Sequence, residues 1–230
     1  MSYLRDHVIV LKKEPYREHD RRYTMYGREH GLLVGVARGS SLPRSKQAGH
    51  LEPFMESHVM IAKGAAFDKL AVATRSRAPL SASSENCLAL YAVCGALADL
   101  VVRLTRQGIA DERIFFLFQE LIGTIAAAPQ EPSPERARLL LSAATLRLLD
   151  VLGFGPPIER APEGTTSVPS LALVSFMRRS PFVDMLRITA PIDIFRSASA
   201  FIEEALTQTP LDREPHGPAT IQALLAITHA

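Results

Sequence analysis

RYTMYGREHGLLVGVA, residues 22–37, decides the fold of the first part of this chain. Two apolar-rich runs, 22–26 and 32–37, flank Arg28-Glu29-His30-Gly31, and Gly31 can adopt the positive φ that a tight hairpin needs. Side chains alternate along a strand, so Tyr23 and Met25 share one face and Thr24 and Tyr26 the other. One of the two tyrosines is therefore expected in a core. Working outward, residues 7–11 read as a preceding strand, and 55–61 and 69–74 as two following ones, separated by Gly, Pro and Asp. Five short strands in about 80 residues suit a small barrel, among which the OB-fold is a frequent nucleic-acid binder. Periodicity alone does not separate an OB-fold from an SH3-like barrel.

The texture changes after that. No proline occurs between Pro79 and Pro129, which suits helices. Apolar density predicts a buried helix over 85–106, ended by Gly108, and a second over 112–127 with Asp111 as its N-cap. Ser133-Pro134-Glu135 supplies a cap, a proline at the first helical position and an acid in the first turn, and that helix runs to a stop at Gly153. A Gly/Pro loop over 153–164 precedes shorter helices at 170–179, 182–188, 192–207 and around 219–227. The expected organisation is a β domain over residues 1–80 and an all-α domain over 81–230, an α+β two-domain chain.

Composition narrows the class. With 230 residues, 47% hydrophobic and 22% charged, the chain is neither a disordered tail nor a disulfide-stapled mini-protein. Its most apolar stretch, 88–98, is cut by Asp99 well short of the roughly 18 to 20 residues a membrane span needs. The first apolar run is too short for a signal-peptide core, so a cytoplasmic protein is expected. Cys87 and Cys94 are the only cysteines, and at seven helical positions apart they lie roughly 10 Å from one another, too far for a disulfide. Two cysteines also cannot make a structural zinc site of four ligands.

Charge is distributed unevenly. Residues 1–80 carry 14 Lys/Arg against 8 Asp/Glu, a net of +6, and the remainder carries 12 against 16, a net of −4. A basic, tyrosine-containing β module beside a mildly acidic helical one suits a polyanion partner for the first, although an ordinary solvated surface explains the charge about equally well. Motifs for chemistry are missing: neither GxxxxGK[ST] nor GxGxxG occurs, nor HExxH, GxSxG or SxxK. Glu203 and Glu204 are adjacent in a helix and diverge by about 100°. His19-Asp20 reads as turn chemistry, and His50 and His58 have no neighbouring ligand cluster. No enzyme activity, metal or cofactor is expected.

What remains is a binding signal. Lys12, Lys13, Arg17 and Arg22 surround the first interstrand loop, and Arg38, Arg44 and Lys46 lie in RGSSLPRSKQAG, a second loop whose Gly and Ser residues leave backbone N–H groups accessible. Basic grooves that track phosphates and aromatics that stack bases are how such barrels hold single strands. Tyr16 and Tyr26 are the candidate stacking residues.

The stretch over 16–54 also resembles bacterial RecO recombination mediators. REHG (28–31), ARGSSLPRSK (37–46) and LEPF (51–54) match, in order and spacing, that family's hairpin, basic loop and following strand start. The helical half is similar more loosely, through its helix order and LRLLDVLGF (146–154). The chain departs from the family pattern where many members begin a four-cysteine zinc site: here the sequence reads ERAPEG (159–164). Ser40-Ser41-Leu42 thins the basic loop, and an acidic LDRE (211–214) replaces a basic stretch near the C-terminus.

The resemblance implies an N-terminal five-stranded OB barrel and a helical C-terminal domain, with the zinc insertion absent near 155–165. It implies binding of single- and double-stranded DNA, strand annealing, and help in loading recombinase onto strands coated by single-strand-binding protein. Partners would be RecR and the C-terminal tail of the coating protein, and the location cytoplasmic and nucleoid-associated. The alternatives are a protein-interaction adaptor and an RNA-binding barrel without annealing activity.

Overall fold

A computed structural model describes residues 2–42, 44–45, 47–64, 67–77, 87–157 and 167–209. Five strands form where alternation places them: β1 (Tyr3–Pro15), β2 (Arg21–Gly27), β3 (Gly31–Ala37), β4 (Glu56–Ala62) and β5 (Lys69–Arg77). They close into a barrel in the order β1-β2-β3-β5-β4. β1 is long enough to serve two neighbours, pairing with β4 from Tyr3 to Ile9 and with β2 from Val8 to Pro15. Its register against β2 slips between Val10 and Lys12, a bulge that bends the strand from one partner toward the other. β3 and β5 run parallel and meet at one register pair, Val36 with Lys69, beside which the Val36 N–H donates to the Asp68 carbonyl at 2.9 Å. With a helical region after it, the architecture is the α+β one expected, and the ring order is that of an OB-fold.

Val8, Val10, Tyr23, Met25, Leu33, Val59, Ile61 and Leu70 fill the barrel interior. Tyr26 points to the outer face and should therefore be wet, yet it is 1% exposed. The reason lies far along the chain. Residues 105–122 belong to the same compact unit as residues 1–84. Gln107 bridges to Gly31 and Leu32, the Tyr26 hydroxyl bonds the backbone of Asp111, and the Phe115 ring lies 5.0 Å from that of His7. Both tyrosines are thus buried, where the alternation argument expected one. Gly31 has φ +65°, and a Cβ there would sit 2.1 Å from the Ile109 carbonyl oxygen, so glycine is required twice over.

The other compact unit comprises residues 85–104 and 123–230. Its helices are α1 (Cys87–Leu104), the last turn of α2 (Glu112–Ala126), α3 (Pro134–Leu152), α4 (Val168–Arg179), α5 (Phe182–Met185) and α6 (Ile192–Thr207). α3 forms its centre, burying Leu139, Leu140, Leu146 and Leu149. The Ser133 side chain caps it and Gly153 ends it at φ +82°. Two arginines on α3 hold the α5 corner. Arg136 donates to the carbonyls of Met185 and Ile188, and Arg147 to those of Met177 and Ser180, with its guanidinium 4.1 Å from the Phe182 ring centroid. Cys94 is a free, fully buried thiol whose pKa burial pushes up. No helix among the described residues is long and apolar enough to cross a membrane. The helix expected around 219–227, the ERAPEG segment and the acidic LDRE segment lie outside the described residues.

Candidate nucleic-acid interface

Described residues of three interstrand loops meet at one end of the barrel: 16–20 between β1 and β2, 38–42 and 44–45 in the connection from β3 to β4, and 67–68 in that from β4 to β5. The first is a tight turn, with the N–H groups of Tyr16 and Arg17 donating to the Asp20 carbonyl at 3.1 and 3.5 Å. Asp20 also ties it to the second loop, its Oδ1 accepting from the Gly39 N–H at 2.9 Å, while the Ser41 N–H donates to the His19 carbonyl at 3.1 Å. The reading of His19-Asp20 as turn chemistry agrees with this geometry. Arg17, Arg38 and Arg44 are all exposed on these joined loops, and none pairs with an acid among the described residues.

The other predicted cations stand differently. Lys13 Nζ lies 2.7 Å from Glu52 Oε1, and Arg22 Nη2 lies 3.1 Å from Glu14 Oε2. Each pair is partly solvated and worth no more than about 1 kcal/mol, so a phosphate can compete for either cation. Lys12 is half-buried at the bulge of β1, opposite Thr24. Lys46 lies outside the described residues.

The stacking candidates separate. Tyr16 is 39% exposed at the start of the first loop. Tyr26 cannot stack a base: its ring is covered and its hydroxyl is occupied by Asp111. Burial raises its pKa for the same reason.

An aromatic that the sequence reading missed takes part instead. Phe67, in the third loop, has its ring centroid 5.9 Å from that of Tyr16, tilted by 56°. The Arg17 guanidinium lies 5.4 Å from the Tyr16 centroid and 5.9 Å from the Phe67 centroid, and Lys69 Nζ lies 6.0 Å from Phe67. Asp68 ties the described ends of the third loop together. Asp68 accepts from Lys63 Nζ at 2.7 Å and from the Gly64 N–H at 3.3 Å, and a Cβ on Gly64 would sit 2.2 Å from the Phe67 carbonyl oxygen. A signal for Phe67 was present in the sequence: a lone aromatic in a short interstrand loop, two residues before a lysine.

A broad open groove of about 640 Å³ lies elsewhere on the barrel, across β1, β4 and β5, lined by Arg5, His7, Arg28, His58, Met60 and Val72 among others. Two of its charged groups are already engaged within the fold. Arg28 pairs with Glu112 at 3.2 Å, and the fully buried Asp6 carboxylate accepts N–H groups from His7, Glu29 and His30. The His7 and His58 rings stack face to face at 4.3 Å, so they do not converge on a metal. Among the described residues no group of three His, Cys, Asp or Glu is arranged to hold one. The basic loop end, not this groove, is the candidate interface.

The chain is similar to known proteins in both of its parts. Residues 1–77 match the family described as Recombination protein O N terminal, and residues 86–170 match Recombination protein O C terminal. Among curated proteins, the chain is 29% identical over 153 residues to a DNA repair protein RecO of Pelotomaculum thermopropionicum, covering 66% of this chain and 56% of that protein. It is 29% identical over 156 residues to one of Bifidobacterium longum, covering 68% and 63%. Against one of Bifidobacterium adolescentis it is 27% identical over 189 residues, covering 79% and 76%. The chain thus spans 56% and 63% of the length of the first two of these relatives.

Proposed function

We propose, on the premise that this chain belongs to the RecO family, that it is a non-enzymatic DNA repair and recombination mediator whose barrel loops hold nucleic-acid backbones. One observation carries the reading: hydrogen bonds join two loops distant in sequence and gather Arg17, Arg38 and Arg44 at one end of the barrel. Guanidinium groups bind phosphate oxygens through charge-assisted bonds, and neutralising phosphates releases condensed counterions. Lowering the charge of two complementary strands also reduces their mutual repulsion. Annealing therefore needs no covalent step. The reading extends to binding of both single- and double-stranded DNA and to help in loading recombinase onto coated strands. It also takes in RecR and the coating protein's tail as partners and a nucleoid-associated cytoplasmic location, all on family likeness.

The test is a salt titration of oligonucleotide binding. Arg17, Arg38 and Arg44 together contribute a slope of about −2 in log K against log salt on single strands, at roughly −0.7 per phosphate contact. Reversing Arg38, Arg44 and Lys46 to glutamate abolishes binding while the barrel stays folded. Recovery of protein partners with no oligonucleotide binding at low salt would favour the adaptor reading, and tighter binding to matched RNA the RNA-binding one.

A further inference from the structure

We propose that Tyr16 and Phe67 form a stacking platform for an unpaired nucleobase, through which the chain distinguishes single strands from duplex. The inference rests on the nucleic-acid reading above and adds to it the part of the ligand that is recognised. The two rings come from different loops, 51 positions apart, and meet at 5.9 Å with a 56° tilt. The Asp20 carbonyl accepts from the Tyr16 and Arg17 N–H groups on one side. On the other, Asp68, next to Phe67, accepts from the Val36 N–H through its carbonyl and from Lys63 Nζ and the Gly64 N–H through its carboxylate. The rings are therefore pre-organised, and a base that stacks on them spends little in ordering them. Tyr16 is exposed and Phe67 half-buried, and neither belongs to the buried cluster that fills the barrel.

The cations around the rings fit a nucleotide as well as a base. Arg17 lies over both rings and Lys69 within 6.0 Å of Phe67. A base arriving on the Tyr16 face displaces the Arg17 guanidinium from the ring, and the phosphate of the same nucleotide offers it a stronger partner. Lys69 can take the next phosphate along the strand. Bases inside a duplex are stacked on both faces and present none to a protein ring, so only unpaired strands engage the platform. Duplex meets the arginines alone. Stacking is tolerant of base identity, so the platform selects strandedness and not sequence.

The experiment compares the full chain with Phe67→Ala, Phe67→Tyr and Tyr16→Ala, binding an oligodeoxythymidine strand and a blunt duplex of equal length, with circular dichroism to verify folding. Phe67→Ala is expected to weaken single-strand binding about 5- to 150-fold. It leaves duplex binding and the salt slope unchanged, since no charge is removed. Tyr16→Ala behaves similarly, and Phe67→Tyr retains wild-type affinity. Unchanged single-strand affinity in both alanine variants, or equal losses on both ligands, overturns the platform while leaving the phosphate-binding reading intact. Failure of the wild-type chain to bind either ligand overturns both.

Discussion

The hydroxyl of Tyr26 bonds both backbone groups of Asp111, donating to its carbonyl and accepting from its N–H, each at 3.2 Å. One side chain on β2 thus fixes the start of α2, 85 residues away. Tyr26→Phe keeps the ring and removes the oxygen, leaving two backbone groups of Asp111 without this partner. The expected cost is about 1 to 3 kcal/mol, read by denaturant unfolding, with oligonucleotide affinity unchanged. A drop in affinity at full stability would instead return Tyr26 to the interface.

Gly27 is expected to resist substitution. A Cβ there would sit 2.1 Å from Asp6 Oδ2, the atom that accepts from the His30 N–H at 2.9 Å. Gly27→Ala must push the carboxylate away from the hairpin it holds, at an expected cost of about 2 kcal/mol or more from strain and unpaired N–H groups. The protection of the Glu29 and His30 amides in hydrogen exchange should fall with it.

His7 reports on the covered face. Burial lowers its pKa, against the pull of Glu56, whose Oε1 lies 2.9 Å from Nε2. The folded state thus disfavours the imidazolium. This stabilising term is fully present above the ordinary His value near 6.5 and is lost as pH falls through the lower folded midpoint. Imidazole titration by NMR should place the His7 midpoint below that of a free histidine, and Glu56→Gln should lower it further.

In the helical unit the matching prediction concerns Gly155. A Cβ on it would sit 1.8 Å from Asp150 Oδ1, while Asp150 Oδ2 accepts from Arg178 Nε at 2.7 Å. Arg178 also donates to the Pro156 carbonyl at 2.9 Å, closing the loop onto α4. Gly155→Ala should destabilise this unit by about 1 to 3 kcal/mol, measured by thermal unfolding.

The strands were legible because alternation and Gly/Asp punctuation are local properties, as in the hairpin ending at Gly31. Helix ends were legible for the same reason: Ser133, Pro134 and Gly153 act through the nearest turn of backbone. Covering is not local. Alternation put Tyr23 and Tyr26 on opposite faces, but no period in residues 22–26 encodes that 105–122 will lie over the outer one. Charge showed the same divide. Arg22 is paired by Glu14, its cross-strand partner once the β1–β2 register is known, whereas the Lys13 partner Glu52 comes from another loop. Phe67 escaped notice because a single aromatic carries no periodicity, and its meaning depends on Tyr16 arriving from 51 positions away.

The seat of residues 105–122 on the barrel bears on how the protein is made. A nascent chain that has emerged only through β5 has every strand of its ring but an uncovered outer wall, with Tyr26 and Leu32 open to water and to other apolar surfaces. The wall closes only after α1, which belongs to the other unit, has been synthesised and the polypeptide has returned. Synthesis order therefore entwines the maturation of the two units, and a fragment ending near residue 80 should be stickier than one ending beyond 122.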